Sequence, residues 1–348
     1  MVPLLFLLFV PLSQATLSCK DLNGKDVDWF MAYKLPGGLK DSPEGRSFYY
    51  LDKANPTWTL STEPIESEKS AIGATVEQVF DGKDTLFWAM YNDDPPDTDK
   101  GEAYRGHIKG VLGFNSDNGF WIQHSMPNFP PNPKSTTDNK YGYPDTATKF
   151  GQTLICLSMK TADLNTIIEQ LRYMQISPYG YNIPADMAAK YVNLTSVIAD
   201  RTSLNTRKEK VYTSTKTLKT AGGQEFTSFA KHKNFKADVW MSLIAVEDGI
   251  PMSVESWLNG AAKNLDSTCS ADVTVHDISS IDLNGNAFKS TMDHSKWGMS
   301  DADSKPIICI GDMNRQASQM ARGGGALCIE NSKVWKTWKG IIASTKPC

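Results

Sequence analysis

Histidine is scarce in this 348-residue sequence, which has five, at positions 107, 124, 232, 276 and 294. Chemistry that needs a proton donor or acceptor near neutral pH has few places to look. Basic residues do not dominate either: 36 Lys and Arg stand against 39 Asp and Glu, a formal net charge of -3. That is not the balance of a strongly basic nucleic-acid-binding domain. With 40% hydrophobic and 22% charged residues, a disordered chain is excluded too. No G-x-x-x-x-G-K-[ST], H-E-x-x-H, G-x-S-x-G or G-x-G-x-x-G occurs, so the commonest nucleotide, metalloprotease and serine-hydrolase signatures are missing. No two cysteines stand at C-x-x-C spacing, which argues against a zinc or thioredoxin-like site. Asp282–Ala287 resembles a calcium loop only faintly, because Ala287 stands where the sharp turn requires glycine.

Long apolar runs are also few. The run Met1–Leu12 is followed by the small residues Ser13 and Ala15. It is shorter than the roughly 20 residues a spanning helix needs, and reads as a signal peptide over 1–16. No second such run follows, so the mature chain is expected to be soluble in the secretory pathway. In that setting the six cysteines (19, 156, 269, 309, 328 and 348) imply three disulfides, whose pairing the count alone leaves open. Asn193-Leu194-Thr195 is a usable glycosylation sequon.

Short β-branched and aromatic runs at Ile108–Phe114, Phe120–Ile122, Leu154–Met159, Val239–Val246 and Ile307–Ile310 predict buried strands. Asp163–Met174 places Leu164, Ile167, Ile168 and Leu171 on one helical face, with Thr161 or Asp163 as a cap. Pro251–Leu258 is expected to open a second helix. The alternation predicts an α/β (α+β) fold of sheets covered by helices. A polar, basic connection at 191–230 divides the chain into halves at 17–190 and 231–348. Residues 201–240 carry nine Lys and Arg against three acidic residues, a field suited to attracting polyanions. Residues 81–100 carry six Asp against two Lys and read as solvated surface.

The element with chemistry in it occurs twice. His107-Ile108-Lys109 opens one apolar strand, and His294-Ser295-Lys296 sits in the other half. In extended backbone, residues i and i+2 face the same way. Each copy therefore sets an imidazole beside an ammonium, a pairing suited to a phosphodiester: lysine holds the phosphate oxygens, histidine attacks phosphorus or moves a proton. His124-Ser-Met-Pro-Asn128 follows the first copy and Gly311-Asp-Met-Asn314 follows the second at the same spacing. The arrangement reads as a degenerate internal repeat in which each copy supplies half of one site.

These doubled elements resemble the phospholipase D superfamily. The longer strings are similar to one branch, the deoxyribonuclease II family, over essentially the whole chain: Asp28–Pro36, Arg105–Val111, Gly119–Pro130, Asp293–Trp297, Gly311–Arg315 and Arg322–Cys328. The resemblance implies a phospholipase-D-like fold of two pseudo-symmetric halves, each a mixed sheet flanked by helices, clamping double-stranded DNA. It implies cleavage without metal or cofactor at acidic pH in the lysosome, leaving 3'-phosphate ends. His107 and His294 would be the catalytic pair with Lys109 and Lys296 as phosphate holders, and His124, Asn128 and Asn314 would support them. The implied disulfides are Cys19–Cys156, Cys269–Cys348 and Cys309–Cys328.

The superfamily's Asp beyond H-x-K has no direct counterpart; Asn115, Asp117 and Asp301 are neighbours of that position. Gly298 stands where a bulkier residue is expected, at the wall of the site. His232 reads as part of a solvated basic loop and His276 as a surface or edge residue. Trp121 and Trp297 are core residues unless they wall the cleft. In an acidic compartment, protonation of all five histidines would bring the net charge to +2. The rival readings are a phospholipase-D-like lysosomal exonuclease or lipase, and a catalytically silent secreted relative that binds nucleic acid.

Overall fold

A computed structural model describes residues 16–348 apart from 97, 99, 136–139 and 259–262; of the signal peptide read over 1–16, all but Thr16 lies outside the described residues. Two β-sheets face each other. In order across the first sheet, the strands are Pro178–Asn182, Phe87–Tyr91, Lys109–Phe114, Asn118–His124, Gln152–Lys160, Trp29–Lys34, Phe48–Asp52 and Thr59–Leu60, antiparallel throughout. The second sheet runs Thr213–Lys219, Glu225–Lys231, Gly324–Glu330, Ile307–Gly311, Trp297–Ser300, Met252–Glu255, Thr274–Leu283 and Thr268–Cys269. Its one parallel pairing joins Met252–Glu255 to Thr274–Leu283.

The two sheets share an internal order. In each, the strand that begins at or beside the H-x-K lysine pairs with an earlier strand and with the next strand, although in the second half Thr268–Cys269, Thr274–Leu283 and Asn286–Lys289 intervene between Met252–Glu255 and Trp297–Ser300. The strand after it then pairs with a closing strand, which pairs with an early strand of the same half. The repeat seen in the sequence is thus a repeat of strand order.

Alternation along the strands builds three cores. Trp29, Met31 and Tyr33 point into the central core, while Phe30 and Ala32 point outward. Both faces are buried, which is why these strands read as continuous apolar runs. The central core joins Trp121 and Leu157 of one sheet to Trp297, Ile310 and Leu327 of the other, with helices Leu164–Met174 and Ser332–Lys339 filling its edges. Each large apolar side chain so buried contributes about 1.5–3 kcal/mol. Helix Ala71–Asp81, capped by the Ser70 hydroxyl, covers the outer face of the first sheet.

Several expectations need correction. Val239–Val246 is not a strand but a π-helical turn, Trp240–Ala245, followed by Val246–Asp248. Its buried positions Trp240, Leu243 and Ile244 have helical spacing, and the Asp238 carboxylate accepts the Met241 N–H at 2.7 Å. Pro251–Leu258 is not a helix: Met252–Glu255 is a strand, with Met252 and Val254 in the outer core in period two. The stretch 191–230 is more than a connection. It holds helix Leu194–Ile198 and two strands of the second sheet, Thr213–Lys219 and most of Glu225–Lys231. Neither Thr161 nor Asp163 caps the helix at Leu164 by its side chain.

The three disulfides are Cys19–Cys156, Cys269–Cys348 and Cys309–Cys328. Asn193 is exposed. Among the described residues, no helix is long and apolar enough to cross a membrane.

Candidate active site

The two H-x-K elements line one cleft of ≈ 360 Å³, together with Asp93, Trp257, Asn314 and Arg322. The halves are pinned to each other at the histidines themselves. The His107 backbone N–H donates to Gly323 O at 2.9 Å, and the His294 backbone N–H donates to Gly151 O at 2.8 Å. Each histidine is thus held by a carbonyl of the opposite half.

The ring of His107 is oriented by main chain. Its Nδ1 lies 2.5 Å from Asp312 O. A carbonyl can only accept, so Nδ1 carries the proton and Nε2 keeps its lone pair. This fills the role left open by the missing Asp; Asn115 instead accepts the Asp117 and Asn118 N–H groups in a turn, and Asp301 accepts from Ser253. The His294 ring is oriented by stacking. Phe150 lies nearly parallel to it with centroids 4.0 Å apart, Trp257 is tilted by 57° against it at 4.2 Å, and its buried Nε2 has no partner among the described residues.

The lysines differ as well. Lys109 donates to Asp93, whose other oxygen accepts Arg322 Nη2 at 2.9 Å. Arg322 also donates to the carbonyls of Arg105, Glu102 and Gly106. Burial opposes ionisation of Asp93, but Lys109, His107 and Arg322 outweigh it and hold the carboxyl well below the usual range. Lys296 donates to His294 O and has no ion pair among the described residues; burial, with Lys109, pushes it down to about 7. Burial also raises the Asp312 carboxyl well above its ordinary value; Gln123 donates to one oxygen at 2.5 Å and the other has no partner among the described residues.

The supporting residues separate. Asn314 lines the cleft, and its Oδ1 accepts the Trp257 N–H at 3.3 Å. His124 does not line it: the ring is fully buried, opposite Lys109 in the strand pair, with Nδ1 accepting the Met126 N–H at 3.1 Å. Asn128 is not a cleft residue either. Its amide donates to Asp94 O and Pro95 O, and so it shapes the loop that carries Asp93.

His232 is buried rather than solvated, with Nδ1 accepting the Asn234 N–H at 3.1 Å, while half-buried His276 bonds Asp301. Trp121 and Trp297 are core residues donating to Tyr91 and Tyr33. Gly298 faces the outer core, where a Cβ would meet the Trp240 ring at 2.9 Å, so it does not shape the cleft.

The charge estimate for an acidic compartment also changes. Burial pushes His107 and His124 well below their ordinary range, His232 to about 4 and His294 to about 2. Burial therefore opposes the added charge at four of the five histidines.

The profile of the family described as Deoxyribonuclease II matches residues 18–348. The chain belongs to the deoxyribonuclease II family. It is 39% identical over 346 residues to cell-death-related nuclease 7 of Caenorhabditis elegans, covering 99% of this chain and 92% of that protein. It is 36% identical over 350 residues to deoxyribonuclease-2-alpha of Sus scrofa (98% and 93%). To plancitoxin-1 of Acanthaster planci it is 35% identical over 343 residues (95% and 92%).

Within this deoxyribonuclease II chain, the sequence missed Asp93, Asp312, Phe150, Trp257 and Arg322 as functional positions. Asp93 lay in an acidic run that reads as surface. Phe150 and Trp257 each reach a histidine of a distant segment, for which no local spacing is a signal.

Proposed function

We propose that this chain is an acid endodeoxyribonuclease of the lysosome that cleaves double-stranded DNA without metal or cofactor and leaves 3'-phosphate ends. The observation that carries the reading is the convergence of His107, Lys109, His294 and Lys296 in one cleft, each histidine held by the opposite half.

The roles follow from the rings' surroundings. His107 Nε2, with Nδ1–H held by a carbonyl, is the nucleophile. It attacks phosphorus as the bond to the 5'-oxygen breaks, and the His294 imidazolium gives its proton to that oxygen. Among the described residues His294 Nε2 has no partner, and an N–H there is assigned to the leaving oxygen. Neutral His294 then takes a proton from water, the water oxygen attacks phosphorus, and the N–P bond breaks to release the 3'-phosphate. Lys109, Lys296 and Arg322 stabilise the charge gathered on phosphorus.

Burial and the nearby lysines oppose an imidazolium at either histidine. An entering phosphodiester offsets those charges, yet acid is still needed to protonate one ring. Asp93, held low, stays ionised there and keeps Lys109 and Arg322 in place. Above neutrality Lys296 loses its charge. Nicking of closed circular plasmid should therefore be strong at about pH 5, weak at about pH 7.5, and unchanged by excess EDTA. Abolition by EDTA would sink the metal-free mechanism, and failure to nick a closed circle would favour an exonuclease.

A further inference from the structure

Two lysines close equivalent strands, one in each half, and neither lines the cleft. Lys34 ends Trp29–Lys34 and Lys231 ends Glu225–Lys231, and both are 0% exposed. Their ammonium groups hold backbone. Lys34 Nζ donates to Ala147 O at 2.9 Å and Thr148 O at 2.8 Å. Lys231 Nζ donates to the carbonyls of Gln319 (3.3 Å), Met320 (3.0 Å) and Arg322 (2.6 Å). These carbonyls lie at or just after the 3-10 turns Asp145–Ala147 and Ala317–Ala321; Gln319 O also accepts the Arg322 N–H and Ala147 O the Tyr143 hydroxyl, each at 3.1 Å.

The register is the same in both halves. Lys34 lies opposite Gln152 and Lys231 opposite Gly324, each on its half's closing strand. The residue before each partner is Gly151 or Gly323, whose carbonyl accepts the backbone N–H of the other half's histidine. Between turn and carbonyl stand Phe150, which stacks on His294, and Arg322, which binds Asp93.

A buried cation costs several kcal/mol unless its donors are matched, and an apolar side chain would fill either position more cheaply. Burial pushes Lys34 down to about 7 and Lys231 to about 8. Bearing that cost at both equivalent positions makes sense where the turns must be held in place.

We propose that Lys34 and Lys231 are positioning residues, each registering the histidine of the opposite half: Lys34 sets His294 through Phe150 and Gly151, and Lys231 sets His107 through Arg322 and Gly323. The inference rests on the reading of those histidines as the reacting pair.

Five histidines make the test tractable. With histidine labelled at Cε1, NMR shifts of Lys34→Met and Lys231→Met are compared with the unaltered chain, and kcat and KM are measured on DNA. Lys34→Met should move the His294 signal and leave His107 in place; Lys231→Met should do the reverse. In both, kcat should fall about 10-fold or more with KM within about twofold, as expected when reacting groups are displaced rather than binding lost. Folded variants in which neither signal moves, or in which all move together, would overturn the assignment. If a methionine variant does not fold, Lys→Arg keeps the charge but changes the donor's reach and must move the same single histidine. The shifts report on the lysines whatever the reaction, whereas His107→Ala and His294→Ala report on the reading of the site, so the two fail separately.

Discussion

His107 and His294 occupy matching places in two sheets of the same strand order, yet their surroundings differ in kind. His107 is governed by hydrogen bonds and charge: a carbonyl fixes its tautomer, and its neighbour Lys109 is one arm of a buried Lys109–Asp93–Arg322 array. His294 is governed by packing: two aromatic rings clasp it, and its neighbour Lys296 has, among the described residues, only a backbone acceptor. On the proposed reading, the duplicated motif is divided into two tasks. A nucleophile needs one nitrogen stripped of its proton and aimed, which a hydrogen bond on the other nitrogen supplies. A proton donor needs an N–H left free for the leaving oxygen, and His294 Nε2 has no partner among the described residues.

The largest effect that could break this comparison concerns the leaving group. On DNA, His107→Ala and His294→Ala should each lose about 10³-fold or more in kcat. On a phosphodiester whose leaving group needs no protonation, such as a nitrophenyl ester, His294→Ala should recover most of the first-turnover release of the leaving group, with later turnover held back by the hydrolysis step, and His107→Ala should recover neither. Equal recovery by both would mean that the division of labour is absent.

Next in size is the contrast between the lysines. Asp93→Asn orphans two buried cations and should cost about 3–5 kcal/mol of stability, read by denaturant unfolding. Lys296→Met orphans no carboxylate and should leave stability within about 1 kcal/mol, while lowering kcat about 10²-fold. Equal destabilisation would show that the two halves share one electrostatic design.

The smallest effect concerns Asp312, whose main chain orients His107. Its folded-state carboxyl titrates well above the unfolded value, so ionisation destabilises the fold as pH rises through that folded pKa. Asp312→Asn should therefore stabilise the chain at about pH 7.5, and the gain should shrink as pH falls toward the unfolded value of about 3.9. A difference independent of pH would mean that the carboxyl is not held neutral.

Much of this division lay beyond the sequence, for a physical reason. The H-x-K copies and the following tetrads were legible because strand period and spacing are local properties. The strands at Lys109–Phe114 and Ile307–Gly311 were legible because burial on both faces demands unbroken apolar runs. Met252–Glu255 was misread because a leading proline outweighed a four-residue alternation, and Trp240–Ala245 because β-branched composition outweighed helical spacing. Asp93, Phe150, Trp257 and Arg322 act across long sequence separations, so nothing near them in the chain announces their partners.

The central claim, one nucleophile and one proton donor drawn from equivalent halves, is tested most directly by trapping the covalent intermediate. Acid-sensitive phosphohistidine would be captured by rapid alkaline quench from His294→Ala turning over the nitrophenyl ester, then located by peptide mass spectrometry. The account predicts phosphate on His107 and none in His107→Ala. Phosphate on another residue, or none in any variant with measurable turnover, would contradict it.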